Sequence, residues 1–301
     1  MLRQHYTFAF HKAAEWSGKP DIIHLNVPWP LGNVARWLSK ENQIPFIVTE
    51  HWTGYHPEDG RYKGRLLKAV TRKALAEAKL ILPVSEDLQT AMQSHKLNGN
   101  YQVVYNVVDT DVFKPSADKP EKTRFLHVSA LDDKQKNVSG LLRAFAAAKK
   151  KEPSIELIIV GHGNDESAIR RLSNELSLTT RGVEFHGFKA DEDLAKEFQQ
   201  ASAMILNSRF ENQPVVMLEA FACGVPVIAP QTGGIGEILN NERGILFKAN
   251  DHEALVTAIL QFHAQKNTYN AGKIREFAIK NFSQTVISEK LDQLYRRVLS
   301  A

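Results

Sequence analysis

Glu211 and Glu219 stand eight residues apart in the stretch RFENQPVVMLEAFACGVPVIAPQTGG, residues 209–234. Pro214 lies between them, and a Gly-Val-Pro-Val-Ile run leads on to a glycine pair. AMILNS (203–208) reads as an apolar strand ending near Ser208. Pro214 suits the first position of a helix, where its missing N–H costs nothing. That helix runs through Ala222, and Gly224 can close it. Glu211 then sits on a loop at the carboxyl end of a strand, and Glu219 about one and a half turns into the helix. The amides of Val215 and Val216 fall in the first turn and lack intrahelical partners. With the helix dipole they offer a site for an anion. An anion held between two carboxylates that reach for hydroxyl groups describes a nucleotide sugar. Its diphosphate lies at the helix start, its sugar near one glutamate and its ribose near the other.

The elements that must position these residues alternate short apolar strands with longer amphipathic helices. DIIHLN (21–26), PFIVTEH (45–51) and LILPVS (80–85) read as buried strands, with helices at 31–42 and 63–78 and an amphipathic helix at 5–17. YQVVYNVVD (101–109) reads as a further strand, and the polar, proline-containing segment 111–123 as a linker. The pattern then restarts. Strands are expected at 124–130, 156–161, 183–188, 203–208 and 226–230, and helices at 137–151, 165–176, 192–200 and 251–265. Continuous apolar strands separated by helices mean parallel sheets covered on both faces. Two such runs make two doubly wound α/β domains, in which ligands bind at the carboxyl ends of the strands.

Length and composition agree with two soluble domains: 301 residues, 43% hydrophobic and 24% charged. No apolar run reaches the ~20 residues that span a bilayer, and no signal-peptide pattern opens the chain. The single cysteine, Cys223, excludes an internal disulfide and a cysteine-rich metal site and reads as a small core residue. These features point to the cytoplasm. The net charge of +4 is too small to argue for nucleic acid but permits an anionic small molecule or membrane surface. The basic segment 61–79 reads as a solvated helix face. A polybasic amphipathic helix also suits anionic lipid, so peripheral contact with the inner face of a membrane is kept as an expectation.

Glu211 and Glu219 match the E-x7-E signature, and LEAFACGVPVIAPQTGGIGEIL resembles the surrounding pattern, of the retaining group 1 (family 4) glycosyltransferases of the GT-B fold. YNVVDTDVFKP, KNVSGLLRAF, IVGHG and VEFHGF are similar to further motifs of that family in the same order. The resemblance covers roughly residues 20–300. It implies two Rossmann-like domains, with a nucleoside-diphosphate sugar as donor, a glycan or lipid-linked acceptor, and no cofactor or metal. By position, Glu211 contacts the donor sugar, Glu219 the ribose hydroxyls, Lys136 the diphosphate, and Gly161 allows close backbone approach. His51, in TEHWTGY, falls where the family often has a histidine facing the sugar. His24 and His162 read as structural or cleft-lining.

The departures are specific. Ala130 stands where the family usually has an arginine, leaving Lys134 or Lys136 to compensate. Asn212-Gln213-Pro214 replaces Gly-Phe-Gly, so one backbone phosphate contact is lost or passes to a side-chain amide. The Asp-Thr-Asp at 109–111 resembles a metal motif of another glycosyltransferase fold but reads here as turn chemistry. The expected division is 1–113, 114–281, and a C-terminal helix at 282–301 returning to the first domain. Against the family pattern, that first domain lacks its opening strand–helix units. Two other readings stay open: a non-catalytic nucleotide-sugar-binding fragment or subunit, and a nucleotide-sugar 2-epimerase.

Overall fold

The computed structural model describes residues 2–116, 122–180 and 182–300. The chain divides into two compact units, one of residues 1–105 with 287–301 and one of residues 106–286. The sequence-based boundary at 113 therefore falls eight residues further along the chain. Residues 117–121 of the expected linker lie outside the described residues.

The first unit opens with α1 (Leu2–Ser17), followed by β1 (Ile23–Asn26), α2 (Gly32–Asn42), β2 (Phe46–Glu50), α3 (Arg65–Glu77), β3 (Ile81–Pro83) and α4 (Glu86–Ser94). The three strands form a parallel sheet in the order β1-β2-β3. Every residue of β2 is buried, as a central strand with both faces covered requires. Phe46 and Val48 pack into one core with Tyr55, Leu75 and Ile81. The alternate residue Ile47 joins Leu80, Leu82 and the C-terminal helix residues Ile287, Leu294 and Val298 in a second core. The segment expected as a strand at 101–109 is not one. It makes isolated bridges, Tyr101 with Ile81 in the first unit and Val108 with Ser283 in the second. The chain crosses between units inside this segment, so it cannot keep one ladder.

The second unit contains β4 (Arg124–Val128), α5 (Asp133–Lys136), α6 (Val138–Lys151), β5 (Glu156–Val160), α7 (Glu166–Glu175), β6 (Val183–Gly187), α8 (Asp191–Gln199) and β7 (Ala203–Ile205). It continues through α9 (Val215–Ala222), β8 (Val227–Pro230), α10 (Ile235–Ile238), β9 (Gly244–Phe247), α11 (His252–Gln265) and α12 (Ala271–Phe282). Its six strands are all parallel, in the order β6-β5-β4-β7-β8-β9. The chain winds outward from β4 to β6, then returns to β7 on the other side of β4. The carboxyl ends of β4 and β7 thus form the topological switch point, where sheets of this kind bind ligands. β9 and helices α4, α5, α10 and α12 were not expected from sequence. β7 is shorter than the expected 203–208: Leu206 still donates its amide to the Ile228 carbonyl, and Asn207 then turns to the segment after β4, donating Nδ2 to the Asn137 carbonyl at 3.0 Å.

Candidate functional site

Two loops meet at the switch point, one leaving β4 and one leaving β7. The β4 loop is ordered by its own acids. Asp132 caps α5, accepting from the amides of Lys134 and Gln135 at 3.1 and 3.4 Å. The Asp133 carboxylate accepts from the amide and hydroxyl of Ser139 at 2.7 and 2.6 Å, tying α5 to the start of α6. Arg209, leaving β7, donates to the carbonyls of Asp133 and Lys134 at 2.5 and 3.0 Å and to Asn137 Oδ1 at 2.7 Å. Its amide donates to the Gln135 carbonyl at 2.8 Å. These bonds lay the two loops side by side, and Lys136 Nζ meets Glu211 Oε1 at 2.5 Å. The ammonium and carboxylate singled out from sequence, 75 residues apart, thus form an ion pair. Lys134 is exposed on α5.

The β7 loop is closed from the other side by the turn after β8. Gly234 donates its amide to the Asn212 carbonyl at 2.9 Å, and Thr232 Oγ1 donates to the Arg209 carbonyl at 3.1 Å. Gly233 has φ +52°, and a Cβ there would lie 1.6 Å from the Glu211 carbonyl oxygen, so no other residue fits this approach. Asn212 and Gln213 are buried. Gln213 Oε1 accepts the Asn106 amide at 2.6 Å, while its own carbonyl accepts Asn106 Nδ2 at 2.9 Å. Pro214 is extended, with ψ 118°, and caps α9 rather than occupying its first turn. It therefore stands one residue earlier than its N–H-free ring suggested, and Val215 and Val216 are the first two helical residues.

Glu219, within α9, has a buried Oε2 with no hydrogen-bond partner. Burial, and then the negative charge of Asp191, push its carboxyl up to about 7. Gln213 Nε2 and Ser208 Oγ are likewise buried without a partner. Gly161 follows β5 with φ +135°, and a Cβ there would lie 1.9 Å from the Ser129 carbonyl. The close approach it permits is to the β4 loop. Under that loop, His127 is fully buried, bonded to the Ile205 carbonyl and Ser129 Oγ at 2.8 Å each. Burial holds its pKa down at about 4, so it is neutral scaffold. His162 is exposed, edge-on to Phe188.

In the first unit His51 is exposed at the carboxyl end of β2, directly after the wholly buried Glu50. His24 is a structural residue: its two ring nitrogens meet Tyr295 Oη at 2.7 Å and Thr49 Oγ1 at 2.6 Å. Burial lowers its pKa, as does the nearby His51. Asp109 is a turn residue, its Oδ1 accepting the amides of Asp111 and Val112 at 2.9 and 3.1 Å. Cys223 is buried, its thiol pushed up to about 12. Among the described residues no group of three or more His, Cys, Asp or Glu could hold a metal ion. No helix among them is long and apolar enough to cross a membrane. The sequence reading missed Arg209, Gly233 and Asp191. The two-residue spacing of Arg209 to Glu211 and the glycine pair were available signals; nothing local marks Asp191.

The family model described as "Glycosyl transferases group 1" matches residues 109–284, and that described as "Glycosyltransferase Family 4" matches residues 2–112. The alpha-monoglucosyldiacylglycerol synthase of Streptococcus pneumoniae is 22% identical over 91% of this chain and 67% of its own length. Sucrose-phosphate synthase from Thermosynechococcus elongatus superimposes with a TM-score of 0.84 at 25% identity, over 98% of this chain and 77% of that one. Anabaena HepE, solved with UDP, gives 0.82 at 22% identity, over 96% and 82%. Curated relatives at 22–26% identity are matched over 60–67% of their own length. With the family model spanning the unit that holds the Lys136–Glu211 pair, and GT-B glycosyltransferases superimposing on nearly the whole chain, this protein belongs to the group 1 glycosyltransferases.

Proposed function

We propose that the chain transfers a sugar, of the hexose type, from a nucleoside diphosphate to a glycan or lipid-linked acceptor with retention of configuration and without a metal. The observation that carries the reading is the Lys136–Glu211 pair at 2.5 Å, placed at the switch point of the six-stranded sheet. Lys136 and the first-turn amides of α9, at Val215 and Val216, supply the positive field for a departing diphosphate. Lys134 adds long-range charge, and the side-chain amides of Asn212 and Gln213 stand in for the N–H that Pro214 lacks. Glu219 takes the ribose hydroxyls, Glu211 holds the sugar, and Gly161 keeps the loops close enough for backbone contacts. His51 acts on the sugar; its support is the family match over residues 2–112 and its place at the end of β2. In the transfer, the bond from the anomeric carbon to the β-phosphate oxygen breaks. The acceptor oxygen bonds to the same face, and its proton passes to the β-phosphate, so no separate base is needed. Contact with an anionic membrane at its cytoplasmic face is part of the proposal, supported by Leu66, exposed beside Arg65 on the basic face of α3.

A panel of nucleotide sugars tests this by release of nucleoside diphosphate and by the anomeric NMR signals of the product. Glu219→Ala is expected to weaken donor binding, and Glu211→Gln to lower kcat more than affinity. An inverted anomer refutes retention. Donor binding with no turnover on any acceptor favours a binding protein, the reading supported by Ala130 in place of the family's arginine. Release of a 2-epimerised sugar without acceptor marks an epimerase.

A further inference from the structure

We infer that Glu50 is a positioning residue that fixes His51 for its part in sugar transfer. The inference rests on the proposed role of His51. Glu50 ends β2 with its side chain fully buried, 0% exposed. Oε1 accepts the amides of His51 and Trp52, both at 2.9 Å, and Oε2 accepts the Tyr55 hydroxyl at 2.7 Å. One carboxylate thus holds both amide groups that flank the His51 Cα, at the point where the chain leaves the sheet ladder and would otherwise bury them unpaired.

Glu50 is itself held from below. Tyr55 is 1% exposed, and its carbonyl accepts a bond from His95 Nε2 at 2.8 Å. The Tyr62 ring packs 4.8 Å from Tyr55 and 4.7 Å from His95, and Trp52 lies edge-on to Tyr55 at 5.4 Å. The result is an exposed imidazole on a backbone whose two flanking amides, and the acid that binds them, are locked by an aromatic core. A buried carboxylate is an expensive way to end a strand unless its bonds matter. Here two amides and a phenol all converge on it, and the first side chain beyond the strand, that of His51, is exposed and ionisable.

Glu50→Ala, Glu50→Gln, Tyr55→Phe and His51→Ala test this in the full chain. Donor turnover, UDP binding and the Cε1–H NMR signal of His51 are the readouts. Glutamine keeps an acceptor for both amides and an N–H for the Tyr55 oxygen; alanine keeps neither. Glu50→Ala is expected to lower kcat roughly 10- to 100-fold, the loss a misplaced group produces, with UDP affinity unchanged and the His51 signal shifted. Glu50→Gln should restore most of kcat. Should the alanine variant not fold, Tyr55→Phe, which removes one of the three bonds, is expected to lower kcat by about threefold to tenfold. A folded Glu50→Ala variant, or in its place Tyr55→Phe, with wild-type kcat and an unmoved His51 signal while His51→Ala has lost turnover overturns the inference alone. Wild-type turnover in His51→Ala instead removes the role of His51, and the inference with it.

Discussion

Nucleotide-sugar binding should release a proton from Glu219. Its carboxyl sits at about 7 in the free protein, raised first by burial and then by Asp191, and its Oε2 lacks a partner. If ribose hydroxyls donate to it, they favour the ionised form and drive the pKa back toward ~4.3. The sign follows: the ligand prefers the deprotonated protein, so affinity rises with pH. At pH 6 only about one-tenth of a group titrating near 7 is ionised, and at pH 8 about nine-tenths. Affinity should therefore increase up to about tenfold across that range, ~1.4 kcal/mol. Glu219 is part-exposed, so tenfold is an upper bound. The ligand should be UDP-glucose rather than UDP, because a terminal phosphate titrates near pH ~6 and adds its own proton, whereas a diphosphate diester does not. Calorimetry in two buffers of different ionisation enthalpy reads the proton directly. Glu219→Gln should flatten the profile, and Asp191→Asn should move its midpoint to lower pH. An unchanged affinity from pH 6 to 8, or a pH response that persists in Glu219→Gln, refutes the assignment of the ribose to this residue.

Three further outcomes are expected. Gly233→Ala should cost roughly 2 kcal/mol or more in thermal or urea unfolding and weaken UDP binding, since its Cβ would overlap the Glu211 carbonyl at a φ of +52°. Burial raises Glu50 to about 7, so the folded state holds a proton that the unfolded chain gives up near 4.5. That stabilisation is present below the unfolded value and lost as pH rises through about 7, up to roughly 3 kcal/mol. Urea unfolding at pH 5.5 and 8 should show this slope in wild type minus Glu50→Gln, a difference in which the opposite contribution of the buried His127 cancels. Chelation with EDTA should leave donor turnover unchanged; loss restored by manganese would falsify the metal-free scheme.

In both units the strands buried on both faces were legible, because they read as unbroken apolar runs. ELIIV and VIAP have every residue buried except Glu156. β9 escaped because Gly244 opens it and only four residues pair. The segment 101–109 misled for a related reason. Its alternating Val and Tyr pattern is that of a strand, but its two halves serve different units, and no local pattern records where a chain crosses over. Lys136, through the family motif, and Glu211 and Glu219, through their places beside a strand end and a helix start, were picked out from sequence as candidates, though not the pairing of the first two. Arg209, Glu50 and Asp191 were not, since their roles depend on partners across a loop, in a buried turn, or on another helix.

What a sequence cannot show at all is which buried groups are left unpaired, and here that pattern bears on function. Ser208 Oγ, Gln213 Nε2 and Glu219 Oε2 are buried without partners, and all three lie between the end of β7 and the middle of α9. An unmade bond at a buried polar atom costs about 1–3 kcal/mol. A connection that merely joined a strand to a helix would be more stable with alanine or leucine at these places. Gln213 is the most telling, because the Asn106 amide fixes its oxygen and so identifies the unpaired atom as a nitrogen donor. One hydroxyl, one amide donor and one carboxylate acceptor, on the stretch of chain that also carries Glu211 of the ammonium–carboxylate pair, form a mixed set. A lone anion would use only the donors. A ligand with both phosphate oxygens and hydroxyl groups would use donors and acceptor together, and the bonds it makes would offset what the unpaired atoms give up in stability.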